Sequence, residues 1–142
     1  MAETLFYRIA KVAMPQFATL ADALDLSKDL SQSSQIRFQF NPAGPHLVCQ
    51  LELLLLQDGV VVLKAVMESY MEFKQESLDA MTKSGKITFP ANILAHIASL
   101  TYSSMRGALY VKTQDTPFCN YVLPLQNLFE LIKKPYEIII AK

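Results

Sequence analysis

Cysteine is nearly missing from this chain of 142 residues: Cys49 and Cys119 are the only two. They are far apart, and neither belongs to a Cys-x-x-Cys pair. A disulfide framework is excluded, and two reduced, mostly buried thiols are expected. An excess of one charge is missing as well. Thirteen basic residues balance thirteen acidic ones, and charged residues make up only 18% of the chain. No basic excess favours nucleic acid or anionic lipid, and no acidic excess favours a cationic partner. The start, "MAETLFYRIAKVAMP", has Glu3 where a signal peptide wants positive charge, and Arg8 and Lys11 interrupt its apolar run. No secretion signal is read, and a cytoplasmic location is expected. The longest uncharged run, Ile87 to Met105, is about 19 residues, nominally a bilayer span. Pro90, Asn92, His96 and several hydroxyls mark it instead as a buried helix, with no membrane insertion.

Catalytic patterns are scarce too. His46 and His96 are the only histidines, and neither sits in a metal-ligating spacing. "SGKIT", residues 84–88, resembles the end of a phosphate-binding loop. It lacks the upstream glycine, since position 80 is Ala, and the hydroxyl residue after Lys86. No metalloprotease or nucleophile-elbow motif is present. The chain is therefore read as no enzyme, with no cofactor, no metal and no catalytic residue.

What is abundant is apolar side chain, 51% of the sequence. That is enough for the core of one domain over residues 1–142, with surface left to share. "TLFYRIAKV", residues 4–12, reads as a strand. Phe17, Leu20 and Leu24 have helical spacing and predict a short helix from Gln16 to Leu24. "QIRFQFN", residues 35–41, alternates, with Ile36, Phe38 and Phe40 on one face, and "PAGP" then breaks the chain.

"LELLLLQDGVVVLKAV", residues 51–66, is the most apolar stretch. Leu47, Cys49, Leu51, Leu53 and Leu55 hold odd positions, as do Val61, Leu63, Ala65, Met67, Met71 and Phe73. The two rows share a face if 56 pairs with 60 through a three-residue loop, Gln57-Asp58-Gly59, or through an equivalent bulge. Gly59 would take the left-handed conformation. With the odd face in the core, the even face reads Val48, Gln50, Glu52, Leu54 and Leu56, then Val62, Lys64, Val66, Glu68 and Tyr70. Such a face is half-covered rather than fully solvated.

Residues 74–86 are polar and break the sheet from the helices. A long helix follows Pro90, with Ile93, Leu94, Ile97, Leu100, Thr101, Met105 and Ala108 along one stripe. A shorter amphipathic helix is predicted from Pro124 to just before Pro135, marked by Leu125, Leu128, Phe129 and Ile132. "YEIII", residues 136–140, is an apolar tail that must dock. Strands first and helices second is an α+β pattern: a four-stranded antiparallel meander followed by two helices.

Phe89-Pro90 opening a long helix, then Met105-Arg106-Gly107, then Leu123-Pro124 with Asn127 beyond, resembles the SecB family of protein-export chaperones, and most closely its shorter SecB-like members. The motifs span residues 87–132. The resemblance implies the same four strands and two helices, and assembly of dimers into a homotetramer. It also implies ATP-independent binding of unfolded polypeptide clients in apolar grooves. The better-known relatives are strongly acidic and dock the translocation motor SecA on an acidic sheet surface. This chain is neutral, which leaves SecA as a partner open.

The client groove is expected on the even face, from Leu54, Leu56, Val62, Val66 and Tyr70, joined by Leu128, Phe129 and Ile132. Lys64, Glu52 and Glu68 would rim it. The competing reading makes this face an oligomer contact. Two functions follow: a holdase for non-native chains, with export as one destination, or a scaffold or regulatory module of the same fold that binds one dedicated protein or apolar ligand.

Overall fold

The computed structural model describes residues 5–20, 24–25, 27–41, 44–124 and 126–139. Four long strands come first: β1 (Tyr7–Thr19), β2 (Ser31–Asn41), β3 (Gly44–Gln57) and β4 (Val60–Phe73). They form one antiparallel sheet in the order β1-β4-β3-β2. The α+β class and the four-stranded antiparallel sheet are as expected. The meander holds for β2–β4 only. β1 lies beside β4, so its connection to β2 crosses from one edge of the sheet to the other, in Greek-key fashion.

The turn between β3 and β4 aligns the two apolar rows by the bulge route. Gln57 pairs with Val60, so the loop has two residues, Asp58 and Gly59, both at positive φ (52° and 79°). This is the primed turn that Asp-Gly favours, because its twist matches the strands it joins. Alone it would set odd against even. The register then slips: Leu56 faces Val61, but Leu55 faces Leu63. Val62 is the extra residue, and beyond it odd positions face odd again. Gln57 also anchors the long crossover. Its buried side-chain amide donates to the Asp25 and Lys28 carbonyls and accepts from the Asp25 amide, while Lys28 pairs with Asp58.

β1 differs from its expected form. The strand runs on through Gln16 and Phe17 to Thr19, where a helix was predicted. Phe17 faces Ala65, so its spacing from Leu20 reflected an apolar strand face next to a bulge. Residues 21–23 of that helix, and Thr4 of the predicted first strand, lie outside the described residues.

The polar residues 74–86, which separate the large sheet from the long helix as expected, carry secondary structure of their own. They form helix α1 (Gln75–Met81) and strand β5 (Thr82–Lys83), which turns through Ser84-Gly85 into β6 (Lys86–Phe89). Helix α2 (Ala91–Lys112) starts straight after Pro90. Ser99, Thr101, Ser104 and Thr113 each donate to the carbonyl four residues back, so a hydroxyl-rich helix is buried without orphaned polar groups. Its buried row, from Leu94 through Ile97, Thr101 and Met105 to Leu109, covers the odd face of β3 and β4. The second helix is much shorter than expected. α3 (Leu128–Leu131) is one turn, capped by the Asn127 side chain, which accepts from the Phe129 amide. Leu125 lies outside the described residues. The tail docks as β7 (Tyr136–Ile139), antiparallel to β6; Ile140 is outside the described residues. Phe89 joins the small sheet to the large one, stacking near Phe40, Phe73 and Tyr136 at ring distances of 5.2, 5.4 and 6.1 Å.

Candidate functional site

The outer, even face of the large sheet is bound together by polar side chains. Gln50 donates to Glu68 at 2.9 Å, and the Tyr70 hydroxyl donates to the same carboxylate at 3.0 Å. Lys64 pairs with Glu52 at 3.7 Å, Arg8 with Glu72 at 2.7 Å, and Lys11 lies over the Tyr70 ring. The Glu68 carboxylate, and burial after it, raise the Tyr70 pKa above its ordinary value. Lys64, Glu52 and Glu68 belong to the two central strands. They run through the middle of this face instead of forming a rim. Leu54, Leu56 and Tyr70 are half-buried among these groups, and Val66 is buried.

The expected groove residues divide between the two sides of the sheet. Leu54, Leu56, Val66 and Tyr70 lie on the outer face. Phe129 and Ile132 lie on the helix side, because α3 packs on α2 and α2 covers the odd face. Val62 and Leu128 lie in the core, at 0% and 1% exposure. Val62 was expected on the even face, and the bulge turns it inward. Leu128 was expected in the groove, and it is the residue that seats α3. The sheet thus separates the two halves of the predicted groove.

On the helix side, the family-like motif residues meet. The Tyr102 hydroxyl donates to the Pro124 carbonyl at 2.5 Å, and Arg106 Nε donates to the Leu123 carbonyl at 3.0 Å. Tyr121 donates through its hydroxyl to Gln32 of β2 at 2.8 Å. Burial raises the Tyr102 and Tyr121 pKa values, so both hydroxyls keep their protons and remain donors at neutral pH. These bonds hold the segment after α2 alongside β2. Between the two lies an open cleft of about 520 Å³, lined by Gln32, Ser34, Ile36, Pro124, Gln126, Leu131 and Ile132. None of these seven side chains is ionisable. A shallower cleft of about 420 Å³ lies around Phe129, between Ser99 and Gln126–Leu128. Phe129 and Leu131 are 52% and 65% exposed, a costly arrangement for a large apolar side chain unless something covers it.

Of the cleft lining, only Ile132 was anticipated. The alternation of β2 puts Ile36 on one face with Phe38 and Phe40 without saying what that face meets. Gln32, Ser34 and Gln126 carry no motif, and Leu131 falls one place off the predicted helical stripe. The usable signal was the Ser/Gln-rich run "SQSSQ", residues 31–35, leading into β2: too polar for a central strand and free of proline, it marks an open edge.

Other chemistry is thin. Cys49 is buried beneath α2, close to Thr101, and burial pushes its thiol up to about 11. Cys119 is exposed. Among the described residues no group of three or more His, Cys, Asp or Glu side chains is placed to hold a metal ion. No described helix is long and apolar enough to cross a membrane.

No protein-family model matches the sequence, and no curated protein matches it either. In three dimensions the chain is similar to the Mycobacterium tuberculosis Rv1957 SecB-like chaperone, solved in complex with a ChAD peptide from the Rv1956 HigA1 antitoxin. The TM-score is 0.55 at 11% sequence identity, over 85% of this chain and 86% of that one. The fold is SecB-like.

Proposed function

We propose that this protein is an ATP-independent chaperone that holds non-native polypeptides in the cleft between β2 and α3. The observation that carries this reading is the cleft's character. Seven uncharged residues line it, the largely exposed Leu131 among them, exposed Phe129 stands in the neighbouring cleft, and side-chain hydrogen bonds to backbone carbonyls hold one wall in place. Such a surface binds apolar client side chains by burial, at roughly 25 cal/mol per Å². It offers no ionisable side chain to serve as acid or base, or to activate the Ser34 hydroxyl, for turnover. The SecB-like fold of a peptide-bound chaperone supports the same conclusion.

The working form in this proposal is a cytoplasmic homo-oligomer, a dimer that pairs into a tetramer. Apolar side chains left exposed support it: Phe6, Ile9, Val12 and Leu20 at the β1 edge, and Tyr110 and Val111 at the end of α2. Delivery to export belongs to the proposal without SecA docking on the sheet. The outer face carries Arg8, Lys11, Arg37 and Lys64 against Glu52, Glu68 and Glu72, and is not the acidic surface such docking uses.

A second reading, a module dedicated to one polypeptide, is favoured by one observation: the similar chaperone was captured with a peptide from an antitoxin. Aggregation assays on several unrelated unfolded clients, without nucleotide, separate the two. Protection of most clients at stoichiometric ratios supports the holdase. Protection of a single client supports the dedicated module. Protection of none sinks both. Native mass spectrometry of the same samples reads the assembly state, and a monomer at tens of micromolar removes the oligomer from the proposal.

A further inference from the structure

The two edges of the large sheet are built differently. β1 contains Pro15, slips register twice against β4, and carries Arg8 and Lys11. Bulges, proline and charge are the devices that stop an edge from pairing with another chain. β2 has none of them over most of its length. It pairs with β3 in unbroken register from Ser31 to Phe40, contains no proline, and carries one charge, Arg37. Among the described residues, no backbone hydrogen bond joins β2 to any element other than β3. Its outer row of N–H and C=O groups is open, and it runs beside the uncharged cleft.

Resting on the client-binding reading above, we propose that clients bind by strand addition: an extended polypeptide segment pairs with the free edge of β2 along Gln32–Ile36. Backbone hydrogen bonds give hold without regard to sequence, and alternate side chains of the added strand drop into the cleft. The occupant's chemistry follows from the lining. Its cleft-facing side chains are aliphatic or small and neutral, because a charge there would be desolvated with no ionisable partner among Gln32, Ser34, Ile36, Pro124, Gln126, Leu131 and Ile132. A second copy of β2 does not fit this role. Towards the cleft it offers Gln32, Ser34 and Ile36, while its Phe38 and Phe40 already pack into their own core. It lacks the row of free apolar side chains at alternate positions needed against Leu131 and Ile132, because Ile36 is the one it offers and that residue already lines its own cleft. A non-native segment with apolar residues at alternate positions has them.

The test uses the full-length protein and a fluorescent peptide of about twelve residues that alternates leucine and serine. Two further versions carry N-methyl groups on alternate residues, one version for each parity. Strand addition leaves only one parity facing β2, so one version binds about tenfold more weakly or worse, and the other binds like the parent. Equal binding by the two versions, at whatever level, overturns the proposal. Amide exchange supplies the second readout. The alternate amides along Gln32–Ile36 that point away from β3 exchange freely in the protein alone and become protected when peptide binds, whereas those paired with β3 are protected throughout. Protection that is present without peptide and rises with protein concentration assigns the edge to a second copy and overturns the proposal. Ser34→Lys, at an exposed position, weakens peptide binding about tenfold or more while leaving the melting temperature near that of wild type. If clients bind and all three readouts stay flat, strand addition fails and the client-binding reading stands. If no unfolded client binds at all, both fail.

Discussion

Arg106 Nε donates to the Leu123 carbonyl at 3.0 Å, and this bond, with that from Tyr102 to Pro124, ties the wall of the cleft to α2. Arg106 lies in the C-terminal half of the helix, and Leu123 is buried at the point where the chain turns back along it. Arg106→Met keeps the stem and removes the donor. The expected loss is about 1 kcal/mol of stability, since the arginine is only part-buried. Client affinity should fall by more than that loss alone suggests, because Leu131 and Ile132 are no longer held opposite β2. Urea denaturation and peptide titration of the same variant check the two effects. An unchanged peptide affinity would show that the wall is positioned by other contacts.

The two sides of the sheet are told apart by paired double variants. Leu131→Ser with Ile132→Ser removes on the order of 100 Å² of apolar client contact, worth about 2 kcal/mol or some thirtyfold in affinity. Val66→Ser with Tyr70→Ser, on the outer face, should leave client affinity within about twofold. Binding should be only weakly salt-dependent, because the cleft is uncharged. The reverse pattern moves the client site to the outer face. Dissociation of the Val66/Tyr70 variant into monomers would instead make that face an oligomer contact.

Gly59 sits at φ +79° in the β3–β4 turn, with open space around its missing side chain. A Cβ added at Gly59 meets nothing within 4 Å, so the effect of Gly59→Val is dominated by backbone strain. A loss of roughly 1 kcal/mol or more is expected, because a β-branched residue resists the left-handed region. The thermal midpoint checks it. The change lies far from the cleft and should leave peptide affinity unaltered.

The Cys49 thiol, raised by burial from near 9 to about 11, gives a pH signature. Below pH 9 the thiol is protonated in both folded and unfolded chains and contributes no slope. From about pH 9 to 11 the unfolded thiol ionises first, so stability falls, by on the order of 2 kcal/mol in all. Cys49→Ala should flatten that part of the profile. At pH 8 a thiol reagent should modify one cysteine per native chain, the exposed Cys119, and reach Cys49 only after unfolding. Rapid modification of both in the native state would refute the burial argument.

Local pattern alone determined a good deal of this protein. Odd-numbered leucines in β3 matched odd-numbered residues in β4, and the need to put both rows in one core required a bulge or a longer loop. The Asp58-Gly59 pair and the slip at Val62 meet that need. Pro90 and the stripe from Leu94 to Met105 placed α2, since helical periodicity over more than three turns has no strand alternative. Tertiary structure decided the rest. β1 pairs with β4 because an edge was free there, and no local pattern records which edge a strand takes. Pro124, Gln126 and Asn127 stay out of the helix because Tyr102 and Arg106 bind the carbonyls of Pro124 and Leu123, long-range bonds that outweigh helical spacing. Phe129 and Ile132 lie across the sheet from Leu54 and Tyr70 because period-2 and period-3.6 patterns say which residues share a face of one element, not which faces of two elements meet. The cleft beside β2 is a property of that assembly: its lining is joined by chain reversal and side-chain hydrogen bonds, and its residues are contiguous only once the chain has folded.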